Sequence, residues 1–440
     1  MKGDEATLLL LQTNHDSSNY FANYLRSGTH PTSEEARTLA DHELLCCIED
    51  CEKFVSEWQN NKKSLNDLVS LLNNKLTFLF HEIGDETLVY TVFEVLNSRG
   101  LPVSWFDRLK SILMAIIFEA NSGNRDELIA EVHRLWTDIY DCIGMRVGLS
   151  TESLRFAATF KTSSCPSRPL SEENATKFFR DYCGNDPVKV IETTEWLMIV
   201  TKAVDQLLAD YRRNAVTEIA QARMVAIAVY LRSDFTKEET SKILRRWENV
   251  TFRIYGMYKN DARTSVGDYV KLAWKVINAK LSVDEILDEL TQIGVHYPIR
   301  GAVERLREMD CYTGWQEELR YFFYRYEEHL SVKAGQVFNN EQWIRIWEKS
   351  AADSIEHIYP QSLKDAQWIH WIGNLLVLPP RLNSALKDKR PREKAQAYTR
   401  TGLLIAQETA SKISNGNWGK KKIKLREESL LNWAMREWAD

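Results

Sequence analysis

The stretch Ser354-Ile-Glu-His-Ile-Tyr-Pro-Gln-Ser362, followed by Ile372-Gly-Asn-Leu-Leu-Val-Leu-Pro379 and then Arg381-Leu-Asn-Ser-Ala-Leu-Lys-Asp-Lys389, decides how the C-terminal part of this 440-residue chain is read. Apolar Ile355, Ile358, Leu375, Val377 and Leu378 flank polar residues there, which predicts two short strands with a hairpin between them. From Asn383 onward the spacing predicts a helix, so the segment makes a small ββα unit. Pro360 predicts that the first strand stops at Tyr359, which leaves His357 near an exposed strand end.

The polar residues of that unit match what phosphodiester hydrolysis needs: a base for water, a hard divalent cation for the phosphoryl oxygens, and a rigid frame. His357 is the candidate base, because a neutral imidazole accepts a proton near neutral pH. Glu356 and Asn383 offer the oxygen ligands that Mg2+ or Mn2+ takes, with the other positions left to water and phosphate. Adjacent strand residues point to opposite faces, so Glu356 and His357 serve one centre only where the segment ends or twists. Asn374 is placed to hold the His357 ring or the loop between the strands.

Hydrophobic residues at 44% and charged residues at 27% exclude a disordered or fibrous chain. No run approaches eighteen apolar residues, and the N-terminus has no cleavable signal, so a cytoplasmic protein without membrane spans is expected. Seven cysteines, with Cys46, Cys47 and Cys51 bunched and the others scattered, form no repeating CxxC pairs, which argues against a disulfide framework and against a structural zinc site. The net charge of −5 hides an asymmetry: residues 381–426 hold thirteen Lys/Arg against three acids, which is +10, so the remainder carries −15. A field of that sign suits a polyanion, and Lys387, Lys389, Arg390, Lys394, Lys420, Lys421 and Lys422 are the expected contacts to a DNA backbone.

Elsewhere apolar residues recur at helical spacing, as in Leu39–Trp58, Leu109–Ala120, Val190–Tyr211 and Ala220–Leu231, and the chain reads as mainly α. Polar breaks at 121–124 and 333–337 suggest three domains: a helical 1–121, a helical middle 122–332, and 333–440 with the ββα unit and basic helices. Aromatics of the middle part, such as Tyr321 to Tyr324 near Trp315, read as core. Asn97 to Gly100 makes a polar turn before a helix capped by Ser104, placing Asn97 and Arg99 beside a helix N-terminus that suits an anion.

The order Glu-His-Ile-x-Pro-Gln-Ser, Gly-Asn-Leu-x-x-Leu and Leu-Asn-Ser resembles the HNH (His-Me finger) nuclease motif. On that resemblance His357 matches the general base, Glu356 and Asn383 the metal ligands, and Asn374 the supporting asparagine. A wider resemblance is to the GmrSD-type restriction endonucleases, in which a ParB/sulfiredoxin-like nucleotide-binding domain precedes the HNH domain. The segment Phe93 to Lys110 resembles that family's Phe-Glu-x-Leu-Asn-Ser-Arg-Gly block with its closing Asp-x-x-Lys, which adds Asp107 and Lys110 to Asn97 and Arg99 as a candidate nucleotide site. The tail from Trp418 through Trp438 resembles its closing helix. The family's opening Asp-Gly-Gln-Gln-Arg motif is absent from the chain, so a partner protein carrying the missing nucleotide-handling half is expected, with a truncated member that has lost nucleotide hydrolysis as the alternative. The resemblance implies a metal-dependent DNA endonuclease of a prokaryotic restriction or anti-phage system. The alternative is a catalytically weak DNA- or nucleotide-binding regulatory subunit.

Overall fold

The structure is a computed structural model that describes residues 18–29, 36–77, 103–120, 124–363, 366–414 and 417–439. Asn97 and Arg99 lie outside the described residues. The chain divides into two compact units, residues 1–161 with 170–205, and residues 162–169 with 206–440.

The first unit is helical: α1 (Ser18–Ser27), α2 (Leu39–Asn60), α3 (Leu65–Lys75), α4 (Trp105–Glu119), α5 (Arg125–Ile143), α6 (Val147–Lys161), α7 (Glu172–Cys183) and most of α8 (Pro187–Ala209). Ser104 caps α4 as expected, its hydroxyl accepting from Asp107 N. The buried stripe of α4, Phe106, Leu109, Leu113 and Ile117, faces the core, where Phe106 meets the edge of Trp136 from α5 at 5.1 Å.

The second unit continues through α9 (Tyr211–Asn214), α10 (Ala220–Tyr230) and α11 (Lys237–Thr251), which runs into a π-helical turn at Phe252–Met257. Then come α12 (Val266–Asn278), α13 (Val283–Gly294), α14 (Ile299–Leu306), α15 (Gln316–Ala334), α16 (Asn340–Trp347) and the single turn α17 (Ala351–Ser354). Capping boxes start α11 and α13, where Thr236 pairs with Glu239 and Ser282 with Glu285. Gly335 stops α15 at φ 63°, a conformation that costs glycine least. Two strands follow, β1 (Ile355–His357) and β2 (Leu375–Val377), with α18 (Pro380–Leu386), α19 (Pro391–Tyr398), α20 (Leu404–Ser414) and α21 (Lys420–Glu437) after them.

Among the described residues these two strands are the one sheet, so the unit is held by helix packing around aromatic side chains. Of the run expected in the core, Tyr321, Phe322 and Phe323 of α15 are fully buried and Tyr324 is half-buried, and Phe322 packs on Trp433 and Trp438 of the last helix region at 5.2 and 5.1 Å. Glu248 on α11 is buried and bonded by Arg212 and by Arg325 of α15, while Arg325 also reaches Glu437 on α21 at 2.6 Å. A buried carboxylate needs such partners, and this network fixes α21 against the middle helices.

Candidate functional site

β1 and β2 pair antiparallel, with Glu356 opposite Leu376 and His357 opposite Leu375. The strand ends at His357, two residues before the predicted stop, although Ile358 N still bonds Asn374 O across the pair, just before β2. Asn374 is fully buried and spends both amide atoms on that loop: Oδ1 accepts from Tyr359 N and Trp418 Nε1, and Nδ2 donates to the carbonyls of Tyr359 and Ile369. Of the two roles expected of Asn374, the structure gives it the loop and not the His357 ring. Arg426 on α21 supports the same turn, its Nη1 donating to the carbonyls of Gly373 at 3.0 Å and Leu375 at 2.7 Å.

α21 lies so close to that turn that a Cβ on Gly373 would run into the Ile423 carbonyl oxygen and come within 3.0 Å of Glu427 N. Gly373→Ala is therefore expected to destabilise the second unit by about 3 kcal/mol, the upper end of ordinary overpacking. Urea melts measure this, and an unchanged midpoint would show that α21 yields freely.

His357 is 7% exposed and sits in a ring of three side chains. Its Nε2 lies 3.2 Å from His370 Nδ1, its Nδ1 lies 2.9 Å from the Gln361 amide nitrogen, and Tyr312 covers it edge-on at 4.5 Å while stacking on His370. One nitrogen of that contact must donate and the other accept, so His370 on one side and Gln361 on the other set which nitrogen of His357 carries the proton. Burial, with the nearby His370 and Lys394 adding to it, pushes the His357 pKa down to about 3, and Asp310 opposes the shift. The ring is neutral across the physiological range.

That shift has a sign for stability. An unfolded His357 takes up a proton below its ordinary 6.5, which the folded site refuses until about 3, so stability is lost as the pH falls through this window. From pH 6.5 to 5 the wild type is expected to lose on the order of 2 kcal/mol more than His357→Gln. Parallel curves in denaturant melts of the two proteins would show that the folded site takes the proton after all.

Glu356 points to the other side of β1, as strand alternation demands. Its Oε1 lies 2.7 Å from Lys394 Nζ and 2.7 Å from the Tyr398 hydroxyl, both on α19, and Lys394 also donates to the His357 carbonyl at 2.7 Å. Lys394 and Glu356 are 0% and 3% exposed. The Asn383 amide nitrogen donates to the carbonyls of Asp353 and Ile355, which clips α18 to β1. This arrangement does not fit a divalent cation on Glu356 and Asn383. The Lys394 ammonium already holds the carboxylate, and bringing a second positive centre to it is repulsive in a low-dielectric interior. Among the described residues, no three His, Cys, Asp or Glu side chains cluster in a way that holds a metal.

Other expected residues are dispersed. Lys394 is interior and cannot touch a phosphate, and Arg426 of the basic run is also buried. Lys387, Lys389, Arg390, Lys420 and Lys421 are exposed, whereas Lys422 is half-buried and donates to the Lys412 carbonyl. Lys387 closes α18 at φ 35°, a backbone region that L side chains rarely occupy. In the first unit, Asp107 takes hydrogen bonds from Ser104 and Tyr140, and the Lys110 ammonium lies 4.9 Å from the Tyr140 ring. Both are engaged in packing α4 on α5. Sequence reasoning missed His370, Tyr312 and Tyr398. His370 carried one signal, as a proton-bearing residue four positions before Asn374; Tyr312 comes from before α15 and carried none.

No helix among the described residues is long and apolar enough to cross a membrane. No curated protein matches the chain at a significant level. Residues 302–433, under a third of the chain but including His357, His370, Tyr312, Glu356, Lys394 and Asn374, match the family model for the C-terminal domain of GmrSD restriction endonucleases.

Proposed function

We propose that this chain cleaves DNA as a restriction-type nuclease of the HNH class, with His357 accepting the proton from the attacking water. The observation that carries the proposal is the His357–His370 pair, an imidazole oriented by a second imidazole beside a two-strand frame, inside a segment that matches the family model for the C-terminal domain of GmrSD restriction endonucleases. A base oriented by a second group is the arrangement that proton abstraction needs. Gln361, which holds Nδ1, is exposed, so swinging its amide aside opens that nitrogen to water. The exposed cations Lys387, Lys389 and Arg390 follow α18 directly, and α18 is clipped to β1 through Asn383, so a duplex backbone held there lies next to the same frame.

Lys394 occupies the Glu356 carboxylate, so no step here runs through a metal on Glu356. That occupied carboxylate favours, as a second reading, a DNA-binding subunit with weak or no hydrolysis. Plasmid and phage DNA incubated with the purified chain, with and without Mg2+ or Mn2+, separates the two. Cutting that His357→Ala abolishes supports the nuclease; retention of DNA without cutting, in wild type and variant alike, supports the binding subunit.

A further inference from the structure

A cavity of about 660 Å³ opens in the second unit between α9, the π-helical turn, the start of α15 and the end of α16. We propose that it binds an uncharged purine or pyrimidine ring, and, resting on the nuclease reading above, that the ring is a base of the bound DNA turned out of its stack. A volume in the range of ordinary small-ligand sites admits a nucleoside.

The walls select that ligand. One side is an aromatic plate: Tyr211, 46% exposed, lies parallel to Trp347 with ring centroids 6.3 Å apart. The Arg320 guanidinium lies 4.5 Å from the centre of the Trp347 ring, so the more open ring of the plate is Tyr211. Every nucleobase brings a π face and ring-nitrogen or carbonyl acceptors in one plane. Phosphate is disfavoured, because the lining cations Arg223, Lys259 and Arg320 are matched in number by Glu218, Glu317 and Glu318. Moreover, Lys259 is paired with Glu318 and Arg320 with Glu317.

The location ties the cavity to the His357 site. The turn that Asp310 holds by accepting from Tyr312 N and Thr313 N has two sides. Tyr312 packs on His357 and His370, while Thr313 and Gly314 line the cavity. The opposite wall, Tyr255 and Gly256, belongs to the π-helical turn, a widened helix form that recurs at functional sites.

The test uses the full chain and two probes: the four free deoxynucleosides in equilibrium dialysis, and duplex DNA carrying 2-aminopurine at successive adenines. At least one nucleoside is expected to bind saturably, with its triphosphate binding no tighter. Tyr211→Ala is expected to weaken binding about tenfold, while Tyr211→Phe keeps it within about twofold. Gly314→Leu, at a position where a Cβ meets nothing within 4 Å, fills the cavity and also weakens binding. In the duplex arm, 2-aminopurine fluorescence rises with wild type and His357→Ala but not with Tyr211→Ala. A nucleoside response without a duplex response identifies a free nucleoside as the source of the ring. The inference is overturned by no saturable nucleoside binding together with a silent duplex, by tighter triphosphate binding, or by indifference to Tyr211→Ala and Gly314→Leu. His357-dependent cutting with an empty cavity would sink this inference alone; nucleoside binding in a chain that never cuts DNA would sink the nuclease reading alone.

Discussion

His357→Ala is expected to reduce the DNA cleavage rate by about 10²–10⁴-fold, the usual contribution of a positioned general base, or roughly 3–5 kcal/mol of barrier. DNA affinity should stay within about twofold, because His357 is nearly buried and the exposed cations lie elsewhere on the frame. His370→Ala leaves the proton acceptor in place and removes its orienter, so a smaller loss is expected, about tenfold to a hundredfold. Single-turnover cleavage alongside gel-shift affinity separates these effects, and thermal melts check that each variant is folded. A His357→Ala protein that cuts at the wild-type rate would end the assignment of this ring as the base. A His370→Ala protein that equals His357→Ala would mean that the two imidazoles act as one unit.

Lys394→Met carries the largest expected effect on stability. It leaves the Glu356 carboxylate buried without its counter-charge and removes the donor to the His357 carbonyl. Breaking one half of a buried pair costs about 3–5 kcal/mol, which for a unit of this size lowers the midpoint by roughly 10 °C. Converting the other partner as well, in Glu356→Gln with Lys394→Met, is expected to recover most of the loss, since the unpaired charge is gone. The same single variant probes the metal question. With the ammonium removed, Glu356 is open to a cation, so millimolar Mg2+ or Mn2+ should raise the midpoint of Lys394→Met and leave that of wild type unchanged. An equal metal response in both proteins would show that Lys394 does not guard the carboxylate. A Lys394→Met protein as stable as wild type would show that Glu356 is neutral in the fold, consistent with the upward push that burial gives its pKa.

Much of this protein follows from local sequence, because local physics acts on neighbours in the chain. Helix starts at Ser104, Thr236 and Ser282 are set by side chains that bond amides three residues on, and the two strands by short apolar runs around polar residues. The alternation of β1 was equally local, and it already implied that Glu356 and His357 face apart. What meets each face was decided only by tertiary structure. In Pro391–Tyr398, Lys394 and Tyr398 stand one helical turn apart amid exposed charges, and charge counting places Lys394 on a basic surface. It is interior because Glu356, some forty residues earlier, is buried against the same face of α19, and a buried carboxylate requires a cation. The rings around His357 have the same origin: Tyr312 arrives from before α15 and His370 from the loop between the strands, and no spacing rule connects them. Sequence alone placed the helical stretches and the two strands to within a few residues and singled out His357 as a residue suited to accept a proton. The pairing of buried groups, which depends on contacts between residues far apart in the chain, decided which charges face solvent and which hold the frame together.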